Sequence, residues 1–385
     1  MRRSLASPGS GKLMTNEVRG LPILLDSPVY SIKDMEKIIV LCGGRSAEHE
    51  ISIISARAVV KGLRDAGYQV QVLGIKKDGS SFSSDEIASA LGLPPSTELT
   101  YPVNSGWISW LAGLQGEKPV VFPVLHGPYG EDGTVQGLLE LLDLPYVGAG
   151  VSGSAVAMNK IHTKEILKAH GLPVLPWISL NRNDLGDESS LEDLMEGSIE
   201  YPVFVKPANM GSSVGVSKAG DPQSLVQAVR EALRYDEYIL VEQGIEAREI
   251  EVSVLGSSPP EVSVPGEIVP CEEFYSYEAK YLSEGSRLII PAVLEAEQVE
   301  TLNYMAASTF NILQLDGMAR IDFLVDRDSG KIWINEPNTI PGFTRISMYP
   351  KLWEATGLGF TDLMRKLVAL AVERRALRNT LEVDR

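Results

Sequence analysis

The sequence predicts a mixed chain: a parallel α/β layer at the N-terminal side, followed by an α+β region of antiparallel strands and helices. Three observations lead there. From Lys37 a short apolar run, a Gly-Gly turn and a 3.6-periodic stripe succeed one another, the signature of strand, turn and helix. A second buried run, Val120 to Leu125, is again followed by a Gly turn and a helical stretch from Thr134 to Leu142. Near the C-terminal end, two strand-like runs flank Asp326-Arg327-Asp328-Ser329-Gly330, which reads as a hairpin.

The chain has 385 residues, enough for two or three domains. Residues 1 to about 34 hold five cations against three carboxylates, are rich in Ser, Gly and Pro, and lack periodicity; they read as a flexible tail, with Met35 expected to be the functional start. Arg2-Arg3 is followed by no apolar core long enough for a signal peptide. Lys37 to Cys42 is the first strand, and Ile51, Ile54, Ala58, Val59 and Leu63 mark the core-facing stripe of a helix ending near Gly67. Tyr68 to Ile75 is the next strand. The first unit therefore covers residues 35–150. Ligands of such layers sit beyond the C-terminal strand ends, where Gly43-Gly44 and His126-Gly127 fall.

The second unit, 151–245, has a helix from about Lys160 to His170, a strand from Tyr201 to Lys206, a Gly-Ser loop, a helix from Pro222 to Leu233 and a strand from Tyr238 to Glu242. The third, 246–385, begins with a strand at Glu249 to Leu255, contains the hairpin, and closes with an amphipathic helix around Leu363 to Val372. The chain contains no evident internal repeat.

Composition bounds the partners. With a net charge of −16, the chain lacks the basic field that nucleic acid or an anionic membrane surface requires. No run approaches the roughly 18 apolar residues of a membrane span. Two cysteines, Cys42 and Cys271, exclude a disulfide framework and a Cys-rich zinc site, and suit a reducing cytoplasm.

Two motifs mislead. Gly148 to Gly153 matches G-x-G-x-x-G, but no acidic residue follows about 20 positions on, so a structural link is favoured over a dinucleotide site. Gly211 to Gly215 matches the nucleophile elbow G-x-S-x-G, yet all four histidines (His49, His126, His162 and His170) lie upstream, and none can be the base that should follow. No Walker-type P-loop occurs.

The informative pieces are Arg320-Ile321-Asp322 and Asn335-Glu336-Pro337-Asn338. On strands, positions i and i+2 share a face, so Arg320 pairs with Asp322 and Glu336 with Asn338. A hairpin centred near Ser329 sets Asp322 opposite Glu336. Two carboxylates and an amide oxygen then converge, a hard donor set suited to Mg²⁺ with phosphate completing its shell. A solvated hairpin with a salt bridge is the other reading, and the apolar remainder of both strands counts against it. Lys206, at a strand end before the Gly-Ser loop, is a candidate phosphate ligand, with Lys160 a second.

With these motifs in order, the chain resembles the ATP-grasp superfamily, and within it the D-alanine–D-alanine ligase family. The resemblance rests on Gly43-Gly44-Arg45-Ser46-Ala47-Glu48-His49-Glu50, on Leu125-His126-Gly127 with Gly130-Glu131-Asp132-Gly133-Thr134, on Met158-Asn159-Lys160, on Lys206-Pro207 with Gly211 to Gly215, on Tyr277 to Tyr281, and on Asn335 to Thr339 with Pro341-Gly342. It runs from about Lys37 to the final helix. It implies that residues 151–245 and 246–385 are the two ATP-grasp lobes. It places ATP on Lys160, Lys206, Ser212, Ser213 and Lys280, with Glu242, Gln243 and Ile245 at the adenine hinge and Glu249 at the ribose. Asp322, Glu336 and Asn338 would hold two Mg²⁺ or Mn²⁺ ions. Glu48 would take the first ammonium, with His126 near that substrate's carboxylate, and Ser347 the second carboxylate. Arg320 and the Gly342 N–H would stabilise the oxyanion. Tyr281, on a mobile loop at 271–287, would link to Ser212 and Glu48. The implied activity is ATP-dependent joining of two D-alanine molecules through an acyl phosphate, for peptidoglycan precursors, by a cytoplasmic homodimer. A D-alanine–D-lactate ligase and a non-catalytic ATP-binding protein are the alternatives; Tyr281 favours the dipeptide, and the intact Asp322, Glu336, Asn338 and Arg320 favour catalysis. Gln243-Gly244, where many relatives carry Lys and a bulky residue, departs from the pattern.

Overall fold

The computed structural model describes residues 37–93, 106–117, 119–184, 188–269, 287–344 and 346–382. The tail at 1–34 and the expected mobile loop at 271–287, apart from Arg287, lie outside the described residues, as do Lys280 and Tyr281.

Three sheets organise the described residues. The first has β1 (Lys37–Gly43) in the middle, parallel to both β2 (Gln69–Ile75) and β3 (Val120–Val124). Both faces are covered, which is why β1 and β3 read as unbroken apolar runs rather than alternating ones. The helix Thr134–Leu141 and Leu111 cover one face. The helix His49–Asp65 covers the other, joined by the C-terminal helix Phe360–Arg378, whose Leu363, Met364, Leu367 and Val368 enter the same core as Val59 and Leu63. The end of the chain thus closes the core at its beginning.

The expected stripe on the first helix is corrected at two positions, Ile54 and the only partly buried Ala58. Ile54 is half exposed, and Ser52 and Ser55 are fully buried instead. These hydroxyls satisfy backbone groups: Ser52 Oγ accepts from the Gly43 N–H at 2.7 Å and donates to the Val124 carbonyl.

The second sheet runs β4 (Trp177–Asn181), β7 (Tyr238–Gln243), β5 (Val203–Pro207), β6 (Ser217–Ala219), all antiparallel. It packs on the helix Pro222–Ala232, which opens with Pro at its first turn and an Asp221 cap accepting from Ser224 N–H at 2.8 Å. The third sheet runs β11 (Arg287–Ile289), β10 (Gly266–Val269), β8 (Ala247–Gly256), β12 (Gly317–Asp326), β13 (Ile332–Asn338), with β9 (Glu261–Val262) on β8. One face is buried under the helix Ala296–Ile312 through Leu302, Ala306 and Phe310. Along β12 the buried residues Ile321, Phe323 and Val325 alternate with Arg320, Asp322 and Leu324, which face a cleft.

Candidate active site

A cleft of about 850 Å³ opens between the third sheet, the Met210–Ser212 loop and the ends of the first unit at Glu48 and His126. Its floor is the hairpin. Register places Asp322 opposite Glu336 and Arg320 opposite Asn338, with a bulge after Asp322, so these side chains project together. Asn338 Nδ2 donates to Asp322 Oδ2 at 2.9 Å, and Arg320 grips the same carboxylate through Nε and Nη2, each at 2.7 Å. Arg320 Nε also lies 2.9 Å from Glu251 Oε2 on the neighbouring β8, where Glu251 is the register partner of Asp322. Lys160 Nζ is 3.5 Å from Glu336 Oε2 and donates to the Met210 carbonyl at 2.6 Å, tying the loop to the floor.

The opposite wall carries Glu48, which is nearly buried just before the first helix. Ser212 donates to its Oε1 across 164 residues of sequence. Its carboxylate lies in a slot between two glycines: a Cβ at Gly127 would come to 2.5 Å of Glu48 Oε2, and one at Gly211 to 2.7 Å. Ser212 and Ser213 both have left-handed backbones (φ 49° and 59°), which turns the loop sharply enough to present the Ser212 hydroxyl.

His126 lines the cleft with both ring nitrogens engaged. Nδ1 is 2.9 Å from the Ile340 carbonyl, an acceptor, so Nδ1 carries the proton; Nε2 lies 3.1 Å from Ser55 Oγ. Burial, despite the Ile340 bond, and the nearby Arg320 charge lower its pKa to about 4, which keeps the ring neutral. Glu131 accepts from the Gly127 N–H at 2.7 Å and the Ile340 N–H at 3.0 Å. Burial and the neighbouring Glu48 carboxylate push it upward.

Lys206 does not line the cleft. Its Nζ is 2.5 Å from Glu242 Oε2, and Lys164 holds the other oxygen of the same buried carboxylate. Burial alone would raise Glu242, but the two ammonium groups outweigh it and hold the carboxyl below its usual range. Gln243 is turned away, its Oε1 accepting from the Glu200 N–H at 2.8 Å and its Nε2 donating to the Glu200 carbonyl at 2.9 Å. Ser213, Ile245 and Glu242 likewise lie outside the cleft lining, whereas Glu249, Ser212, Gly342 and Ser347 are part of it. Ser347 Oγ accepts from the Thr344 N–H at 3.0 Å.

The cleft therefore gathers Glu249, Arg320, Asp322, Glu336 and Asn338 from the third sheet, Lys160 from a helix start, and Glu48, His126, Ser212, Gly342 and Ser347 from connecting segments. This geometry is accompanied by matches along the chain. The D-ala D-ala ligase N-terminus family model matches residues 37–149, and the D-ala D-ala ligase C-terminus model residues 166–369. The chain belongs to the D-alanine–D-alanine ligase family. Among the relatives of this family, a D-alanine–D-alanine ligase of Thermoanaerobacter sp. (strain X514) is 46% identical over 357 residues, 88% of this chain and 97% of that protein. One from Staphylococcus carnosus is 44% identical, covering 91% and 99%. The solved D-alanine-D-alanine ligase of Coxiella burnetii superposes with a TM-score of 0.74 at 36% identity, over 90% of this chain and 96% of that one. VanG D-Ala:D-Ser ligase from Enterococcus faecalis gives 0.73 at 30% identity, over 87% and 99%. The family resemblance drawn from the motifs thus holds, and so does the expected fold class.

Sequence reasoning assigned no role to Glu131, Ser55, Lys164 or Glu251. Glu131 lies within Gly130-Glu131-Asp132-Gly133-Thr134, Lys164 lies one helical turn from Lys160, and Glu251 shares a strand face with Glu249. Spacing alone was a sufficient signal for the last two. Ser55 gave none.

Proposed function

We propose that this chain joins two D-alanine molecules into D-alanyl-D-alanine at the expense of ATP, by way of a D-alanyl phosphate, in building peptidoglycan precursors. The observation that carries the reading is the juxtaposition, across one cleft, of the Asp322–Glu336–Asn338–Arg320 floor with the Glu48–Ser212 wall. A carboxylate is a poor electrophile and must first accept a phosphoryl group. The floor then offers the cations and metal ligands that transfer needs, and the wall an anionic seat for the amino acid's ammonium.

The donor set fits a divalent cation. Asp322, Glu336 and Asn338 offer hard oxygens, and among the described residues no group of three or more His, Cys, Asp and Glu could hold an ion by itself. This suits Mg²⁺ or Mn²⁺ that share phosphate oxygens of the nucleotide, and we assign two ions there. When bound, such ions neutralise charge on the transferring phosphoryl group.

The protein's own residues do the rest. Lys160, already anchored to the Met210 carbonyl, reaches phosphate oxygens, and Lys206 joins it when it exchanges Glu242 for ATP. Ser213, Lys280, Glu249 and the Glu242–Gln243–Ile245 hinge complete the nucleotide site. Glu48, oriented by Ser212, binds the first ammonium. His126 contributes shape and a neutral ring beside the substrate carboxylate, since its nitrogens are already bonded. Arg320 and the Gly342 N–H receive the oxyanion formed when the second amine attacks, and Ser347 takes the second carboxylate. Tyr281 on the 271–287 segment closes the site against water.

We further assign the boundaries at 150/151 and 245/246, a homodimer and a cytoplasmic location. No described helix is long and apolar enough to cross a membrane. Light scattering tests the dimer. The function is tested by phosphate release with ATP, Mg²⁺ and each of D-alanine, L-alanine, D-serine and D-lactate. Release dependent on D-alanine is expected; release with D-lactate at neutral pH in its place would sink the reading.

A further inference from the structure

Gly342 follows Pro341, which has no N–H, and lies between two tethered peptides. On one side Ile340 is held at both polar groups: its N–H donates to Glu131 Oε1 at 3.0 Å, and its carbonyl accepts from His126 Nδ1 at 2.9 Å. On the other side the Phe343 N–H points to Ser55 Oγ at 3.4 Å, and Ser55 in turn lies 3.1 Å from His126 Nε2. Among the described residues the Gly342 N–H has no acceptor of its own. It is the amide left over in this stretch, and its direction depends on the tethers flanking it.

The second oxygen of Glu131 accepts from the Gly127 N–H at 2.7 Å, and Gly127 forms one side of the slot that holds Glu48. One carboxyl group thus spans the wall that seats the first substrate and the segment carrying the free amide. Two diverging N–H donors need two acceptor oxygens. Gln offers one acceptor and turns an NH₂ group against the other N–H; Asp is a methylene too short to reach both.

We propose that Glu131 is a positioning residue for acyl transfer, setting the Gly342 N–H at the right distance from the carbonyl of the substrate held by Glu48. The inference rests on the ligase reading above, in which that N–H receives the oxyanion. Its consequence is specific. Glu131 bonds to the Gly127 and Ile340 N–H groups and not to the floor that handles the phosphoryl group, so the acyl phosphate still forms when Glu131 is altered. Attack by the second amine slows, because the tetrahedral oxyanion has lost a donor. Water then competes. Its oxygen bonds to the acyl carbon, the bond from that carbon to the phosphate oxygen breaks, and inorganic phosphate leaves while D-alanine and a proton are released. ATP is consumed without dipeptide.

The experiment measures phosphate and dipeptide in the same samples, with ATP, Mg²⁺ and D-alanine, for the unmodified protein, Glu131→Gln and Ser55→Ala. The unmodified protein is expected to release one phosphate per dipeptide. Glu131→Gln is expected to lose roughly 10²-fold in the rate of dipeptide formation, the usual size for a lost oxyanion donor. Its phosphate-to-dipeptide ratio rises well above one while the KM for ATP stays unchanged. A ratio of one in Glu131→Gln, whatever its rate, overturns the proposal. Should that variant fail to fold, Ser55→Ala loosens the opposite tether and decides alone: a raised ratio supports the proposal and a ratio of one overturns it. If the unmodified protein releases no phosphate in response to D-alanine, the ligase reading falls and this inference falls with it, an outcome distinct from a coupled variant.

Discussion

Asn338 Nδ2 donates to Asp322 Oδ2 at 2.9 Å from the facing strand, while both oxygens of that carboxylate are gripped by Arg320. Asp322 is therefore satisfied within the protein, and Glu336, across the hairpin from it, lies 3.5 Å from Lys160 Nζ. Glu336→Gln keeps the size of the side chain but removes its charge and one of its two acceptor oxygens. Turnover is expected to fall by about 10²-fold or more, while ATP still binds in a calorimetric titration. Turnover that is unaffected would refute the metal assignment at Glu336.

The buried Lys164–Glu242–Lys206 cluster predicts a stability effect of known sign. Lys164 is almost wholly inaccessible, contacts the Leu175 carbonyl at 3.3 Å and lies 5.5 Å from the Trp177 ring. Lys164→Met leaves Glu242 with Lys206 alone in a dry environment. Breaking a buried pair from one side costs about 3–5 kcal/mol, whereas replacing both partners by apolar groups is often neutral. Urea denaturation should show Lys164→Met destabilised, and Lys164→Met combined with Glu242→Leu and Lys206→Met, which leaves no buried charge unpaired, substantially recovered. A single variant as stable as the parent would remove Lys164 from the cluster's energetics.

Much of this was legible before any coordinates, for identifiable physical reasons. The hairpin register followed from the two-residue side-chain period and a polar turn, and it placed Asp322 against Glu336 correctly. The parallel sheet followed from apolar runs ending in Gly turns. What escaped was polar burial. Ser52 and Ser55 occupy the inner face of the first helix because each satisfies backbone groups of distant segments, which a hydrophobic stripe cannot announce; Ile54 was placed there in their stead. Nor does any local pattern show that Lys206 holds Glu242, 36 residues on. The helix Ala296–Ile312 was also missed, because its buried face mixes Leu302 and Phe310 with Ala306 and Thr309.

His126 makes stability depend on pH. Its folded pKa is about 4, below the ordinary value of 6.5, so the folded state binds fewer protons than the unfolded chain between those values. The neutral ring's contribution is fully present above 6.5 and is lost as pH falls through 4. The shift corresponds to about 3 kcal/mol at its acid end. Between pH 7 and 4 the denaturation midpoint should shift downward relative to that of His126→Gln, the raised Glu131 carboxyl titrating with the opposite sign in both proteins. Parallel curves for the two proteins would show that another group titrates.

The slot around Glu48 yields a test of substrate binding that leaves the fold alone. Gly127 has a left-handed backbone (φ +76°), so a side chain there strains the chain as well as crowding Glu48. Gly211 is different: its backbone needs no left-handed φ, and the contacts a Cβ would meet all belong to the Glu48 carboxylate, the nearest at 2.7 Å. Gly211→Ala should therefore fold normally and push Glu48 off its seat, weakening one charge-assisted contact to an ammonium. Such contacts are worth about 1.5–3 kcal/mol, or roughly 10- to 100-fold in affinity. The KM for D-alanine at the first site should rise by that factor, with the melting temperature and the KM for ATP little changed. Initial rates over a D-alanine titration decide it: an unchanged KM would show that Glu48 does not hold the substrate's ammonium.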